Sequence, residues 1–494
     1  MFFIIRLFVK FDIYQSMKRY ILAFAILFFI SSSHTQSQTA NESCNLGFAF
    51  EISNDPNWGY NEPVIVDITP GSPAEKAGLQ INDIILEVNG SGTFLKPYQT
   101  IMSWFNRSDR NMSISIRNFK TSFKTLQIDK NCRNRNAISE VQLAPVFSFY
   151  SLEDVQDRRF IIPVKTTTST DASYAQYRTF DFVSSDESSR ELDKRINAIF
   201  IRALGERGLV RDTDDPDFII QTYYSYQSNP MFKPDSPTYG SYQSVWRFDT
   251  RNKRMVKLPV YNPSEGVRVD DIVYNIEFGY RFYDRKWKQP GEMTLIWEGE
   301  VTERLSENYP LLDYLEMNLP LLLLKFPYPG NLSFATYQVK NIKYNFTGIE
   351  YDINDLKTVM SVAPNSPAEN AGIRPGDIIL SIQKQSFKHT SKSLTQSYRQ
   401  FISETMKYRD RSTQYTDSNG FKKCMFWDID YYYNISETIK KKRYKSAFSY
   451  LFNFNQYIDW QTPETLNIEV DREGEKLEFD VKPIVKHSSH ILVY

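Results

Sequence analysis

Short apolar runs bounded by Gly, Pro, Asn and Asp occur along most of the chain, and this pattern is typical of β-strands. The predicted strands cover residues 49–52, 64–68, 84–86, 112–117, 123–128, 174–182, 218–223, 273–283, 293–300, 466–470 and 476–481. Apolar residues recur at helical spacing in two long segments, 191–205 and 309–325. The pattern therefore predicts an α+β chain with several sheets.

One sequence element occurs twice. Residues 70–86 read PGSPAEKAGLQINDIIL and residues 364–380 read PNSPAENAGIRPGDIIL, which are identical at 11 of 17 positions. Copies this far apart are not neighbouring units of a solenoid. They predict two separate domains that share one element.

Each copy carries the signals of a short capped helix followed by a buried strand. Ser72 is a preferred N-cap, and Pro73 suits the first helical position because no N–H is needed there. Glu75 completes a capping box, and Gly78 can take the left-handed conformation that ends a helix. The second copy repeats these residue types at Ser366, Pro367, Glu369 and Gly372.

A one-turn helix before a buried strand resembles the centre of a bacterial-type PDZ domain. That family adds an extended peptide to a sheet edge, and amides of a glycine-containing loop hold the peptide carboxylate. The matching loop is Asn45-Leu46-Gly47-Phe48, with Asn45 where the family usually has glycine. The resemblance implies a domain over residues 41–132 with a groove helix at 97–105. The peptide-binding residues it implies are Leu46, Gly47, Phe48, Ala49, Phe50, Glu51 and Ile52.

A second PDZ-like domain is predicted over residues 341–487. Thr347 replaces the usual apolar residue of its loop, and the implied peptide-binding residues are Thr347, Gly348, Ile349 and Tyr351. Residues 389–463 exceed what such a domain needs, so they predict the groove helix plus an insertion.

The insertion is rich in aromatic residues and contains Lys440-Lys441-Lys442-Arg443. Interleaved basic and aromatic residues suit single-stranded nucleic acid or a peripheral membrane contact. The favoured interpretation is a small helical subdomain whose aromatic side chains cover the domain and whose lysines face water. A third alternative is that the insertion occludes or extends the peptide groove.

Residues 146–330, after a linker at 133–145, predict a separate α+β sheet domain. They resemble a bacterial envelope family of unknown function that is common among lipoproteins. The matching motifs are residues 177–180, Asp215-Pro216-Asp217, Trp297 to Gly299, and Phe326-Pro327. The family supplies no catalytic residue, and the chain lacks the family's lipid-attachment cysteine.

The N-terminal residues predict export. From Met17, which we take as the start, Lys18 and Arg19 precede an apolar run at 20–30 that is too short to span a bilayer. We interpret residues 1–40 as a signal peptide, with an uncleaved anchor as the alternative. The expected location is the periplasm or the outer membrane of a Gram-negative bacterium.

An oxidising compartment would permit a disulfide. Cys44 and Cys132 bracket the first PDZ-like domain, whose first and last strands lie near each other in this fold. We therefore expect these two cysteines to pair, whereas Cys424 lies in the insertion.

Composition favours a binding protein over an enzyme. Lys and Arg number 59 and Asp and Glu number 59, a balance that argues against nucleic acid as a partner. The chain has 3 Cys and 4 His, and it contains no paired-histidine metal motif, nucleophile elbow or Gly-rich phosphate loop. We therefore predict no catalytic residue, no metal and no cofactor.

The predicted architecture is α+β and multidomain, with two PDZ-like partly open β-barrels or sandwiches flanking a mixed α+β sheet domain. The leading hypothesis is a secreted, non-enzymatic envelope protein that binds protein C-termini or extended peptide segments by strand addition. One alternative is an assembly protein whose grooves are filled by its own segments. Another is a regulatory subunit or cryptic member of a PDZ-containing protease system. The partner, the role of the middle domain and the oligomeric state do not follow from the sequence.

Overall fold

The computed structural model describes most of the chain between residues 42 and 493. The described residues are 42–55, 58–69, 72–107, 109–134, 136–146, 157–172, 174–184, 190–242, 244–287, 292–387, 396, 400–401, 403–411, 425, 427–451 and 463–493. The predicted signal peptide and Cys424 lie outside them.

The first module comprises residues 42–134. Its elements are β1 (Glu42–Asn45), β2 (Phe48–Ile52), β3 (Pro63–Ile68), α1 (Pro73–Ala77), β4 (Ile84–Val88), β5 (Ser91–Gly92), α2 (Tyr98–Phe105), β6 (Asn111–Arg117), β7 (Lys124–Asp129) and β8 (Asn131–Asn134). The sheet order is β2-β3-β4-β6-β7 with β5 on β4, and β1 pairs separately with β8.

The capped helix of the first module is confirmed. The Oγ of Ser72 accepts a hydrogen bond from the Glu75 amide at 3.2 Å, and Gly78 ends α1 at φ +89°. Ala74 on this helix is fully buried in a core that also contains Ile65, Ile85 and Ile114. The helix thus covers one face of the sheet and fixes the loop that precedes β2.

The segment interpreted as a linker has regular structure, so that interpretation is wrong. It contains the end of β8, then β9 (Ala137–Ser139) and α3 (Glu140–Val146). These elements pack against the second module, which begins about two hundred residues further along the chain and could not be inferred from the local pattern.

The middle domain comprises residues 157–334. Its elements are β10 (Asp157–Ile162), β11 (Val164–Thr168), β12 (Thr179–Phe182), α4 (Arg190–Gly205), β13 (Val210–Arg211), β14 (Phe218–Ser228), β15 (Ser244–Asp249), β16 (Arg254–Tyr261), β17 (Tyr274–Asp284), β18 (Thr294–Leu305) and α5 (Leu311–Leu322). The sheet order is β13-β12-β14-β17-β18-β16-β15, with β11 on β18.

The sequence pattern of the middle domain predicted its two long helices and four of the nine strands that the structure describes there, namely β12, β14, β17 and β18. The strand expected over 174–182 is shorter than predicted, because Tyr174–Gln176 form a 3₁₀ turn and only Thr179–Phe182 are extended. Tyr174 is buried in this turn, and its ring lies edge-on to Trp297 at 5.7 Å. Packing of one aromatic residue therefore overrides the local extended pattern.

The second module comprises residues 335–493. Its elements are β19 (Ala335–Phe346), β20 (Ile349–Asp352), β21 (Val359–Val362), α6 (Pro367–Ala371), β22 (Ile378–Ile382), β23 (Gln385–Ser386), α7 (Tyr432–Ile439), β24 (Leu466–Arg472), β25 (Glu475–Val481) and β26 (Ile484–Val493). The sheets are β21-β20-β9, β23-β22-β24-β25 and β10-β19-β26.

The α+β multidomain architecture is confirmed, but none of the sheets closes into a barrel. The second module also extends past the predicted boundaries at 341 and 487, because β26 pairs along its whole length with β19. Within the described part of the chain, no helix is long and apolar enough to cross a membrane.

The insertion packs onto the rest of the second module and onto the middle domain. Its buried aromatic residues belong to the core of the second module; they are Phe401, Trp427, Tyr432, Tyr444, Phe448 and Tyr450. The indole Nε1 of Trp246 in β15 donates to Asp410 at 2.9 Å, and Lys257 in β16 lies 3.4 Å from Asp428. The described aromatic residues of the insertion thus cover the core of the second module.

The basic run of the insertion lies at its surface. Lys440 pairs with Glu437 at 2.6 Å, and Lys441 pairs with Glu404 at 3.0 Å. Arg443 also pairs with Glu404. Three of the four cations of this run thus pair with two carboxylates of the insertion.

Candidate functional site

Each module places a glycine loop in front of a short strand, next to its capped helix. Gly47 has φ +77° and Gly348 has φ +96°, a region that favours glycine. A Cβ on Gly47 would lie 2.2 Å from the Cβ of Ser72, and a Cβ on Gly348 would lie 2.2 Å from the Cβ of Ser366. Both loops therefore need glycine for conformation and for space.

The two loops are anchored to their modules in the same way. The carbonyl of Leu46 accepts from the amide of Ala74 at 3.0 Å, as the carbonyl of Thr347 accepts from Ala368 at 2.9 Å. The carbonyl of Gly47 accepts from Thr69 at 2.8 Å, which matches the bond between Gly348 and Ala363 at 2.8 Å. The predicted correspondence of the two loops is thus present in the geometry.

The first groove is the space between β2 and α2. Phe50 lies against Tyr98 at 4.8 Å and against Phe105 at 5.6 Å, and Phe48 lies edge-on to Phe105 at 5.2 Å. Phe50 is buried, Leu46 and Phe48 line the loop end, and Ala49 and Glu51 are exposed. The structure thus brings together the predicted residues 46–52 around an apolar surface.

The outer edge of β2 is open in the part of the chain that the structure describes, where β2 pairs only with β3. One loop amide is already engaged, because the amide of Gly47 donates to Asn45 Oδ1 at 2.7 Å. A carboxylate that enters the loop must displace this side chain. Asn45 therefore matters to the site, as its unusual residue type at that position had indicated.

The second groove, beside β20, is filled by the chain itself. Strand β9 pairs antiparallel with β20, so that Ser139, Ile138 and Ala137 lie opposite Glu350, Tyr351 and Asp352. Ile138 and Leu143 are buried in the core of the second module. The segment comprising residues 137–146, here called the internal ligand, thus occupies the edge that a bound peptide strand would use.

The side chain of Glu140 occupies the loop of the second groove. Its Oε2 accepts from the amides of Thr347 at 2.9 Å and Gly348 at 3.0 Å. Its Oε1 accepts from Thr347 Oγ1 at 2.5 Å and from the hydroxyl of Tyr450 at 2.7 Å. Glu140 is fully buried, and these four donors satisfy both of its oxygens.

The donors to Glu140 come from both the loop and the insertion. The hydroxyls of Tyr450 and Tyr351 lie 2.6 Å apart, and the ring of Phe448 lies edge-on to Tyr351 at 5.3 Å. The insertion therefore extends the second groove, which was the third alternative for its role. Thr347 departs from the family pattern. It supplies a side-chain hydroxyl as an additional hydrogen-bond donor, and a peptide that presents only its main-chain carboxylate would not require this donor.

Burial raises the pKa of Glu140 to about 7, although the hydrogen bonds from Thr347, Tyr450 and Gly348 act in the opposite direction. Burial also raises the pKa of Tyr351 and Tyr450 well above 10, so both stay neutral. The ordinary pKa of a glutamate is 4.5, so a released Glu140 ionises at a lower pH than a docked one does. Docking therefore weakens as the pH rises from about 4.5 to about 7.

The cysteine positions are consistent with the expected disulfide. Cys44 is disulfide-bonded, and the register of β1 and β8 places Cys132 directly opposite it. Because the Cys132 side chain is not among those described, its pairing with Cys44 stays a prediction. Strand β1 leads directly into the loop of the first groove.

Sequence reasoning located both glycine loops but missed the ligand of the second. Glu140 and Tyr450 are far from the loop in sequence, and no local pattern marks either as part of a groove. The signal that remains is the apolar pair Ala137 and Ile138 shortly before an acidic residue. Among the described residues, no cluster of three or more His, Cys, Asp and Glu side chains could hold a metal ion.

Comparison with known proteins agrees with this geometry. A family model described as PDZ domain matches residues 64–93 and 358–402. The crystal structure of a PDZ domain protein from Parabacteroides distasonis is 34% identical, with a TM-score of 0.72, over 92% of this chain and 100% of that chain. The chain belongs to the family of PDZ domain proteins.

The middle domain of this PDZ domain protein matches the model of a domain of unknown function, DUF4136, over residues 164–328. A DUF4136 family protein from Bacteroides thetaiotaomicron is 14% identical over 32% of this chain and 89% of that chain, with a TM-score of 0.16. No curated protein matches the chain. The predicted combination of two PDZ domains around an envelope-type domain of unknown function is confirmed.

The families present are non-catalytic modules, and PDZ domains generally bind peptide C-termini. This PDZ domain protein is therefore a bacterial protein-interaction protein. The two grooves differ in state, since the first has an open strand edge among the described residues and the second contains the internal ligand.

Proposed function

We propose that this PDZ domain protein binds a C-terminal peptide in its first groove by strand addition to β2. The observation that carries the proposal is the open edge of β2 beside a loop whose conformation matches the carboxylate-holding loop of the second domain. The amides of Leu46, Gly47 and Phe48 would hold the terminal carboxylate after Asn45 moves aside. The protein acts as a binder and not as an enzyme.

The first groove suits an apolar terminal residue. Phe105 is buried and Phe48 half-buried at the loop end, and the first domain has a leucine where the second has Thr347. Leu46 offers no hydroxyl for a second carboxylate oxygen. The peptide thus gains affinity from its main-chain amides and an apolar side chain.

The second groove supports a different, structural role. Glu140 occupies the position of a peptide carboxylate, and β9 occupies the position of a peptide strand. This is the self-filled alternative, and it applies to one groove of the two. The second PDZ domain thus binds the segment that follows the first domain.

The location in the cell follows from the sequence alone. We place the protein beyond the inner membrane of a Gram-negative bacterium, in the periplasm or at the outer membrane, on the basis of residues 1–40. Its partner would then be an envelope protein with an exposed C-terminus. Mass spectrometry of the native protein tests this, since the export proposal requires a mature N-terminus near residue 40.

We expect full-length protein to select peptides with a free, apolar C-terminus from a display library. Amidation of the C-terminus of a selected peptide should weaken binding at least tenfold, because the loop amides then lose their charged acceptor. Gly47→Ala should weaken binding similarly, since its Cβ would meet Ser72 at 2.2 Å. Fluorescence anisotropy measures both effects.

The matched control is Gly92→Ala in the same domain, whose Cβ meets no atom within 4 Å. It should leave the affinity within twofold of the unmodified protein. Equal binding of acid and amide peptides would show that the loop holds no carboxylate. A library without any enriched terminus would contradict the proposed function.

A further inference from the structure

The internal ligand is held in the second groove by few contacts. Its strand β9 has three residues, and α3 has seven, which is too short to be stable as an isolated helix. Its described apolar anchors in the core are Ile138 and Leu143. The remaining contacts are the packing of Val141 against this core, the ladder of β9 with β20, and the four hydrogen bonds to the Glu140 side chain.

The polar contacts to the Glu140 carboxylate are specific, but they lie away from water. The carboxylate accepts from four donors, which belong to Thr347, Gly348 and Tyr450. Such a set of donors recognises an acidic side chain within a segment, and the segment can continue past the loop. Burial of a charged carboxylate opposes docking at neutral pH, as its raised pKa reflects. The groove is therefore complementary to an acidic residue, and at neutral pH desolvation of the carboxylate offsets part of the stabilisation that its hydrogen bonds supply.

The internal ligand is also tethered close to its groove. Strand β8, which pairs with β1, ends at Asn134, and Ala137 starts β9. The carbonyl of Asn136 accepts from the amide of Ile353 at 2.8 Å, so the tether enters the groove directly. A short tether gives the internal ligand an effective concentration in the millimolar range, which hinders a free competitor without excluding it.

We propose that the second groove is a regulated binding site for an internal acidic segment, and that residues 137–146 act as a displaceable ligand that keeps it closed. The external ligand has the same chemistry, namely an extended segment with an apolar residue two positions before a glutamate. This site is separate from the proposed function, since it uses the other groove and needs no free C-terminus. Displacement releases the contact that joins the first domain to the second.

The test uses the full-length protein and a fluorescent synthetic peptide with the sequence of residues 134–146. Glu140→Gln in the protein keeps the side-chain volume but places an amide group against the loop donors. This variant should bind the peptide at least tenfold more tightly than the unmodified protein. A peptide with Gln at its own glutamate position should bind the variant at least tenfold more weakly.

Hydrogen exchange locates the bound peptide. Binding should protect amides in residues 349–352 and leave residues 48–52 unchanged, which separates this site from the first groove. The matched control, Glu437→Gln in an exposed ion pair of α7, should bind no more peptide than the unmodified protein does. Protection at 48–52 alone, or equal affinity of Glu140→Gln and the unmodified protein, would overturn the proposal.

A second variant and a measurement on unmodified protein guard against a folding defect. Ile138→Ala removes an apolar anchor and should admit the peptide as Glu140→Gln does. In the unmodified protein, amides of residues 137–139 should exchange at least tenfold faster than the buried amides of β24, which reports local opening. Exchange of both segments at one common rate would show a permanent contact and overturn the proposal.

Discussion

Replacing Arg247 by methionine is expected to destabilise the middle domain by about 3–5 kcal/mol, because it leaves the buried carboxylate of Glu303 without its cation. Arg247 is fully buried, pairs with Glu303 and donates from Nε to Asn318 Oδ1 at 3.0 Å. The hydroxyl of Tyr314 donates to Glu303 Oε2 at 2.6 Å. Thermal and urea unfolding of the full-length protein, with hydrogen exchange of β17 and β18, measures the loss.

Two control variants test whether the loss of stability comes from an unpaired buried charge. Arg202→Met removes an ion pair with Glu316 that is about half exposed, and it should cost less than about 1 kcal/mol. The double variant of Arg247→Met with Glu303→Leu should recover most of the stability, since no buried charge remains. If Arg247→Met alone is as stable as Arg202→Met, this account of the core is contradicted.

Replacing Glu140 by alanine should release the internal ligand from the second groove, with a local loss of about 2–4 kcal/mol. The change removes the acceptor of four hydrogen bonds and leaves their donors buried. Hydrogen exchange should show lost protection in residues 137–139 and 349–352, while β24 and β25 keep theirs. Glu437→Ala, which breaks an exposed ion pair, should change stability by at most about 0.5 kcal/mol. Unchanged protection of residues 137–139 would contradict the role given to Glu140.

The local elements of both PDZ domains could be predicted from the sequence because short-range physics determines them. Ser72 and Ser366 cap their helices, and Gly47 and Gly348 take the positive φ that their positions in the loops indicated. These features depend on residues within a few positions of one another. Several sheet strands followed in the same way from apolar runs, whereas the paired strands β19 and β26 were not predicted.

The content of the second groove could not be predicted because it depends on contacts across the chain. Glu140 reaches Thr347 and Tyr450, which are separated from it by 207 and 310 positions. Nothing near Glu140 distinguishes it from a surface residue of a linker. The 3₁₀ turn at Tyr174 was missed for a similar reason, since Trp297 supplies the packing that bends the chain.

The two grooves share one sequence pattern apart from Asn45 and Thr347, but they differ in state. The side chain of Asn45 accepts from the loop of the first domain, and the side chain of Glu140 accepts from the loop of the second. We propose on this basis that the first PDZ domain receives a partner, while the second holds the chain's own segment.

Hydrogen exchange of unmodified full-length protein, without and with a selected C-terminal peptide, tests this claim most directly. The account predicts slow exchange in β20, where β9 covers the edge, and fast exchange of the outer-edge amides in β2. The selected peptide should then slow exchange in β2 alone. Slow exchange in β2 before any peptide is added, or peptide protection in β20 alone, would contradict the account.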